Sequence, residues 1–341
     1  MLRYWRKEVR NMIGTHALKQ WDQYLNKMIA FQDTEPVKVV TGIRRCGKSS
    51  LLKLMAAHLR DSGVEAGQII EMNFESYEFK SMNADAFYHY VKERIIPGKR
   101  AYLFFDELQR ISGWEDAVNS FRVDFDCDIY ITGSNACLQQ ITDPALLRRI
   151  ILFLADNIGS NVSAASIGNT LVNEGLLEDG KRRGAPSTHT VQAYVNALLE
   201  SCFFYDVKRF DIKGKEFLRT LGKYYIVDIG LRNYLLGFRD RDSGHVLENV
   251  VYFELLRRGY DVAIGKVDNS EVDFIAANAG DKLYVQVTES MRSEDVRRKE
   301  LAPLQKIRDN YEKIVLSLDP GFDSSYEGIK SQNLIEWLIA E

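Results

Sequence analysis

The chain has 341 residues, enough for two or three domains, and its 45% hydrophobic and 27% charged residues are ordinary for a soluble protein. A net charge of −3 excludes a globally basic surface, so any surface for nucleic acid must be local. The 4 cysteines form no C-x-x-C pair, which argues against zinc and for a reducing compartment. Without a signal peptide or an apolar run near the ~18 residues of a membrane span, we expect a cytoplasmic location and no membrane partner.

The first informative stretch is VVTGIRRCGKSS, Val39 to Ser50, which fits the pattern G-x-x-x-x-G-K-[ST]. A β-branched run precedes it and a helical apolar pattern follows, so a strand and a helix flank the loop. Such a loop turns backbone N–H groups toward an anion at a helix N-terminus. The pattern predicts that Lys48 reaches the β- and γ-phosphates of ATP and that Ser49 holds Mg²⁺. The candidate nucleotide-binding residues are Gly42, Ile43, Arg44, Arg45, Cys46, Gly47, Lys48, Ser49 and Ser50.

Further along, RAYLFFDELQRI is an apolar strand that ends in two acids, Asp106 and Glu107. Strands of this kind present their acids at the sheet edge where ligands bind, so Asp106 is expected to hold Mg²⁺ and Glu107 to polarise water. The next strand, CDIYITGSN, has a polar end. There Asn135 is either a sensor of the γ-phosphate or part of an ordinary turn. Alternating strands and helices predict a parallel sheet covered on both faces.

In the middle of the chain, the sequence pattern predicts two short helices followed by a pair of strands that turns at Gly214, as in a winged helix. Basic residues cluster in the loop and the wing: Lys181, Arg182, Arg183, Lys208, Arg209, Lys213 and Lys215. They are expected either to contact DNA phosphates or to lie on a purely structural or protein-docking module.

The C-terminal part predicts a helix from His245 to Arg258 and two strands, SEVDFIAA and KLYVQVTE. Glu248, Asp273, Gln286 and Thr288 then stand where restriction-endonuclease-like folds carry their metal and water ligands. Gln286 replaces a carboxylate and Thr288 replaces a lysine, and an amide is the weaker ligand for a hard cation. We therefore expect a folded but inactive nuclease-like domain, with an active Mg²⁺-dependent nuclease as the alternative.

Together these residues resemble a large bacterial and archaeal family that joins an AAA-type ATPase core, a winged helix and a restriction-endonuclease-like domain of unknown function. The stretches that carry the resemblance are VVTGIRRCGKSSLL, FFDELQRISGWE, ITGSNA, KYYIVDIGLRNYLL, LENVVYFELLRRGY, EVDFIA and YVQVTES. The resemblance implies nucleotide binding at the Gly42–Ser49 loop, Mg²⁺ and water chemistry at Asp106 and Glu107, and phosphate sensing by Asn135. It also implies that glutamine is usual at position 286.

One departure from the family concerns the segment after the sensor strand, where GSNACL runs directly into QQITDPALLRRIILFLADNIG. Family members carry there a long segment that should hold the last strand of the ATPase sheet and an arginine acting in trans. The gap after Leu138 is a natural deletion, an engineered one or a stretch left out of the sequence, and it leaves ATP hydrolysis open. RIILFL fits a strand by its period, whereas the resemblance predicts a helix.

The sequence thus predicts an α/β protein with four parts: an N-terminal helical arm (1–35), a P-loop ATPase core (36–145), a winged helix (146–238) and a restriction-endonuclease-like domain (239–341). The first functional hypothesis is an ATP-dependent switch or motor that binds ATP at the interfaces of a homo-oligomer and acts on DNA or a protein partner. The second is a regulatory module that binds ATP without hydrolysing it, and the third is the Mg²⁺-dependent nuclease.

Overall fold

A computed structural model describes residues 21–43, 46–133, 142–173, 186–239, 243–320 and 324–340. The chain divides into two compact units, Met1–Ala136 and Cys137–Glu341. The N-terminal unit contains α1 (Asp22–Ala30), β1 (Lys38–Val40), α2 (Lys48–Asp61), β2 (Ile69–Asn73), α3 (Ala84–Lys92), β3 (Ala101–Asp106), α4 (Trp114–Asp124) and β4 (Cys127–Thr132). Short 3-10 turns lie at Ala66–Gln68, Tyr77–Phe79 and Leu108–Arg110.

The N-terminal unit is built on a four-stranded, fully parallel sheet in the order β1-β4-β3-β2. Every residue of β3 is buried, as its apolar sequence predicts for a strand with helices on both faces. Phe87, Phe105 and Phe121 pack on one side of the sheet, and Met55 and Leu59 of α2 lie in the core on the other. Because all four strands run the same way, their polar C-terminal ends meet at one edge.

The C-terminal unit begins with α5 (Pro144–Asp156), β5 (Asn161–Val162), α6 (Ala164–Asn173), α7 (Thr188–Glu200), β6 (Phe204–Asp211) and β7 (Glu216–Ile226). The RIILFL stretch is helical, in α5, and Asp143 caps that helix by accepting from the N–H groups of Ala145 and Leu146. Ser187 caps α7 through Thr190 N. β7 pairs antiparallel with β6 and, by its other edge, with the short β5.

The unit continues with α8 (Ile229–Leu236), α9 (Ser243–Arg257), β8 (Asp261–Val267), β9 (Ser270–Ala277), β10 (Lys282–Val287), α10 (Glu294–Gln305), β11 (Glu312–Ser317), β12 (Ser324–Tyr326), β13 (Ile329–Asn333) and α11 (Leu334–Ile339). β9 and β10 form the predicted antiparallel pair. The C-terminal end of β6, Arg209 to Asp211, pairs parallel with β8. One nine-stranded sheet therefore runs in the order β12-β13-β11-β10-β9-β8-β6-β7-β5. Tyr252 and Leu255 of α9 pack on this sheet against Phe274 and Val285.

Across these residue ranges, no helix is both long and apolar enough to cross a membrane.

Candidate functional site

The phosphate-binding loop lies between β1 and α2, as its motif predicts. Gly42 (φ 151°) and Gly47 (φ 97°) both have positive φ angles, which a residue with a Cβ adopts only under strain. Gly47 is the residue before α2, and no side chain caps the helix there. The first N–H groups of α2 are therefore directed at the loop, the arrangement that binds an anion. Arg44 and Arg45 lie outside the described residues.

Lys48, the first residue of α2, is only 5% exposed. Its Nζ donates to the carbonyl oxygens of Gly42 and Ile43, both at 3.1 Å. The same Nζ is 3.9 Å from Glu107 Oε1, beyond hydrogen-bond distance. The ammonium thus lies between the loop and the acid pair, held by neutral carbonyls that a phosphate can outcompete for a charged donor.

The acid pair follows β3 directly, and both carboxylates are buried. Asp106 is the last residue of the strand, and Glu107 has left-handed backbone angles (φ 58°, ψ 42°). A non-glycine residue in that region is strained, and such strain concentrates at functional sites. Glu107 Oε2 accepts from Gln109 Nε2 at 2.6 Å, which holds the carboxylate in place.

Sequence reasoning missed Thr132, the last residue of β4. Its hydroxyl donates to Asp106 Oδ1 and accepts from Glu107 N at 3.0 Å, so one side chain links both acids. The register of β3 and β4, in which Phe105 lies opposite Ile131, brings it there. The signal was a threonine at the polar end of a buried strand. The prediction placed the polar end at Ser134 and Asn135, which lie outside the described residues.

Trp21 was missed as well. A Cβ placed on Gly47 would lie 2.3 Å from Trp21 Cη2, so the indole packs directly against the loop. The Trp21 and Tyr24 ring centroids are 6.0 Å apart. This contact gives a second reason for glycine at position 47. No local sequence motif predicts the contact.

The donor set at this edge fits Mg²⁺, which takes hard oxygen ligands such as carboxylates. Asp106 supplies a buried carboxylate, and Ser49 supplies a hydroxyl in the first turn of α2. The residues present therefore suit a nucleotide bound with magnesium.

A second cluster lies in the C-terminal unit around a cavity of about 560 Å³. The cavity brings together Glu248, Asp273 and Gln286, three of the four predicted residues. Thr288 lies one residue beyond β10, where its N–H bonds to Leu316 O, and it is not part of the cavity lining. The other charged residues that line the cavity are Lys223, Glu271, Lys299 and Glu300.

Lys223 of β7 is the residue that sequence reasoning missed here. It is 4% exposed, and its Nζ lies 3.1 Å from Glu248 Oε2 and 2.9 Å from Glu271 Oε1. The Tyr225 hydroxyl donates to the same Glu248 oxygen at 3.0 Å. The predicted wing strand therefore supplies a cation to this cluster.

Gln286 uses both ends of its amide. Its Oε1 accepts from Asp273 N at 3.4 Å, and its Nε2 donates to Glu300 Oε2 at 2.9 Å. Asp273 Oδ2 accepts from Val287 N at 2.8 Å. The glutamine thus joins the two strands and α10 within the protein.

The electrostatics of the cluster follow from burial and from Lys223. Burial raises the pKa of Asp273 well above its usual range, and the Glu248 charge raises it further. Burial also opposes the charge of Glu248, but the hydrogen bond with His245 and the Lys223 ammonium outweigh it and lower the pKa of Glu248. Burial lowers the pKa of Lys223, yet its carboxylate neighbours, Glu248 foremost, hold it above the usual range.

Among the residues that the structure describes, no group of three or more His, Cys, Asp or Glu side chains is placed to hold a metal ion.

A parallel sheet with a glycine-rich loop before a helix and an acid pair two strands away defines a P-loop nucleotide-binding protein. Residues 34–153 match the model of an AAA domain, and residues 121–242 match a domain of unknown function (DUF8612). An uncharacterized protein of Haemophilus influenzae is 31% identical over 407 residues, covering 95% of this chain and 99% of that protein. The chain belongs to the family of that protein, and its N-terminal part is an AAA-type ATPase domain.

Two further comparisons are weaker. The uncharacterized protein MJ1544 of Methanocaldococcus jannaschii is 24% identical over 329 residues, covering 90% of this chain and 68% of that protein. The crystal structure of protein VC1899 from Vibrio cholerae is 12% identical and covers 88% of this chain and 87% of that chain. Its TM-score of 0.18 is too low to indicate a shared fold.

Proposed function

We propose that the protein is an ATP-binding, AAA-type switch or motor whose nucleotide state acts through its C-terminal unit on a partner. The observation that carries the proposal is Lys48, a buried ammonium between the loop carbonyls and the acid pair. A bound triphosphate gives this ammonium a charged acceptor in place of the two neutral carbonyls.

In the proposed mechanism, the loop N–H groups and Lys48 bind the β- and γ-phosphates. Ser49 and Asp106 would hold Mg²⁺, which would supply charge neutralisation. Glu107 orients the attacking water, while Gln109 and Thr132 fix the position of its carboxylate and backbone. Asn135 keeps its proposed role as phosphate sensor.

An ATP-binding module that does not hydrolyse ATP is the second candidate. Within the described residues the sheet has four strands and β1 is an edge strand. The alignment with the Haemophilus influenzae protein spans 407 residues, more than the 341 of this chain, so tens of its positions have no counterpart here. Both observations support the loss of a segment that the Haemophilus influenzae protein carries.

The test of nucleotide binding is calorimetric titration of the purified chain with ATP and Mg²⁺. Lys48→Ala should bind ATP about ten- to a hundredfold more weakly, because it loses a charged hydrogen bond of about 1.5–3 kcal/mol. Lys53→Ala removes an exposed lysine from the same helix and should bind like the parent. Equal affinities of the parent and Lys48→Ala would contradict the proposal. Phosphate release by the parent separates the switch or motor from the non-hydrolysing module.

For residues 146–238 we propose a winged helix, supported by three helices followed by the β6–β7 hairpin with β5 on its edge. The C-terminal end of β6 is paired with β8, and Lys213 Nζ lies 2.6 Å from Asp268 Oδ1. Since β6 of the wing is paired with a strand of the larger sheet, we favour a protein partner over DNA. Salt-dependent anisotropy of a labelled DNA duplex with the chain would reverse that preference.

For residues 239–341 we propose a nuclease-like domain that does not cut DNA. The engaged amide of Gln286 and the pairing of Glu248 with Lys223 support this reading. Supercoiled plasmid incubated with the chain and Mg²⁺ or Mn²⁺ should stay intact. Metal-dependent nicking that Asp273→Ala abolishes would restore the nuclease hypothesis.

A further inference from the structure

The cluster around Lys223 already contains a cation of its own. Lys223 Nζ is close to one oxygen of each of two carboxylates, at 2.9 Å from Glu271 and 3.1 Å from Glu248. It is the charged end of a side chain that is almost wholly buried. A buried ammonium is tolerated only with such partners, so these two acids are its counter-ions.

The remaining oxygens of the two acids also have partners within the protein. Glu248 Oε1 lies 3.4 Å from His245 Nδ1, and Tyr225 shares Glu248 Oε2 with Lys223. Glu271 Oε2 accepts from Asn161 Nδ2 at 3.1 Å. A metal ion would have to displace these donors and would also lie beside a positive charge.

The groups come from segments far apart in the chain. Lys223 and Tyr225 belong to β7, Asn161 to β5, Glu248 to α9 and Glu271 to β9. A Cβ on Gly159, in the turn before β5, would lie 2.7 Å from His245 Nδ1, so the turn packs closely on the same cluster. The cluster therefore ties the helical first part of the unit to its C-terminal part.

We propose that Lys223 is the resident cation of this cluster: its ammonium takes the place of a divalent metal ion between Glu248 and Glu271 and locks the paired strands β5 and β7 to α9 and β9. The site is an internal ionic clamp that excludes divalent cations as long as Lys223 is present. This inference does not depend on nucleotide binding at the N-terminal loop.

Removing the ammonium should convert the clamp into a metal site, since the buried carboxylate of Glu248 and the partly exposed carboxylate of Glu271 then lose the cation between them, and hard divalent ions take carboxylate oxygens. The loss of the EPR signal of free Mn²⁺ measures Mn²⁺ binding to the parent and to Lys223→Gln. Lys299→Gln, which removes an exposed lysine of the same cavity, is the matched control. We expect one added Mn²⁺ site in Lys223→Gln alone, and its loss in Lys223→Gln/Glu248→Gln. Saturable Mn²⁺ binding by the parent that Glu248→Gln removes would overturn the proposal, as would a folded Lys223→Gln that binds no more Mn²⁺ than the parent.

Thermal unfolding covers the case in which Lys223→Gln folds poorly. Ca²⁺ should raise the Tm of Lys223→Gln by several degrees and leave that of the parent unchanged, because an ion that binds only the folded state stabilises it. Lys223→Gln/Glu248→Gln should melt higher than Lys223→Gln without Ca²⁺, because it carries one unpaired buried charge fewer. A double variant that melts no higher than the single one would show that the two charges are not a pair.

Discussion

Two lysines in this chain, Lys48 and Lys223, are equally buried, at 5% and 4% exposure, yet their surroundings differ. Lys48 donates to two backbone carbonyls and stays 3.9 Å from the nearest carboxylate oxygen. Lys223 is in direct contact with two carboxylates. The first ammonium keeps its charge available for an incoming anion, whereas the charge of the second is already neutralised.

The comparison teaches that a buried lysine indicates function only through its partners. Neutral carbonyls hold an ammonium more weakly than a carboxylate does, so a phosphate can replace them. Carboxylates that pair with a buried ammonium are replaced only at the cost of leaving charges unpaired in the interior. The N-terminal site is therefore suited to an exchangeable ligand and the C-terminal cluster to a permanent contact.

The largest expected effect is on turnover at the site that contains Lys48. If the protein hydrolyses ATP, Glu107→Gln should lower the rate by about a hundred- to ten-thousandfold, the usual contribution of a positioned base. ATP affinity should stay close to that of the parent, because Lys48 is held by hydrogen bonds to the loop carbonyls and lies 3.9 Å from the nearer Glu107 oxygen. Phosphate release and calorimetry measure the two quantities. Unchanged turnover would remove Glu107 from the mechanism.

The next largest effect is expected at Glu248, a carboxylate partner of Lys223. Glu248→Gln should lower the free energy of unfolding by about 3 kcal/mol, the lower end of the cost of leaving a buried charge unpaired, since Glu271 remains. Glu294→Gln, which breaks an exposed pair with Arg298, should cost less than about 1 kcal/mol. Urea unfolding of both variants is the measurement, and equal small losses would contradict a clamp at Lys223.

Local pattern sufficed for the parts of the fold that neighbouring residues determine. The glycines of the loop and the acids after an apolar strand are encoded within a few residues, and so is the alternation of β9 and β10. Thr132 could not be assigned in this way, because its contacts with Asp106 and Glu107 depend on the register of two strands.

Lys223 shows the same limit over a longer distance. Its carboxylate partners lie on α9 and β9, whereas the sequence predicts β7 only as a wing strand. Only the pairing of β6 with β8, which joins the hairpin to the larger sheet, makes the contact possible. The sequence predicts no lysine two residues beyond Gln286, where Thr288 stands, while the structure supplies the cation Lys223 from another element.

A smaller effect is expected at Thr132, the residue that links the acids beside Lys48. Thr132→Val keeps the shape but removes the hydroxyl, so Asp106 loses a donor and Glu107 N loses its acceptor. A buried polar group without a hydrogen-bond partner costs about 1–3 kcal/mol, so the free energy of unfolding should fall by that amount. Denaturation by urea tests this, and a variant as stable as the parent would show that the link does not hold the acids.

The last effect concerns the charge balance around Lys223 and depends on pH. Burial and Glu248 raise the pKa of Asp273 in the folded state. At pH values above the ordinary pKa of 3.8, the folded state therefore keeps a proton on Asp273 that the unfolded state releases. Between that value and the raised pKa, rising pH therefore lowers stability, by at most about 1.4 kcal/mol per pH unit from this group. Asp273→Asn cannot ionise, and its amide oxygen can still accept from Val287 N, so it should gain stability relative to the parent as the pH rises above 3.8. Urea unfolding of both proteins across this range gives the difference. Parallel curves would mean that Asp273 is ionised in the folded protein, so that Lys223 would have three carboxylates around it and spare negative charge for a metal ion.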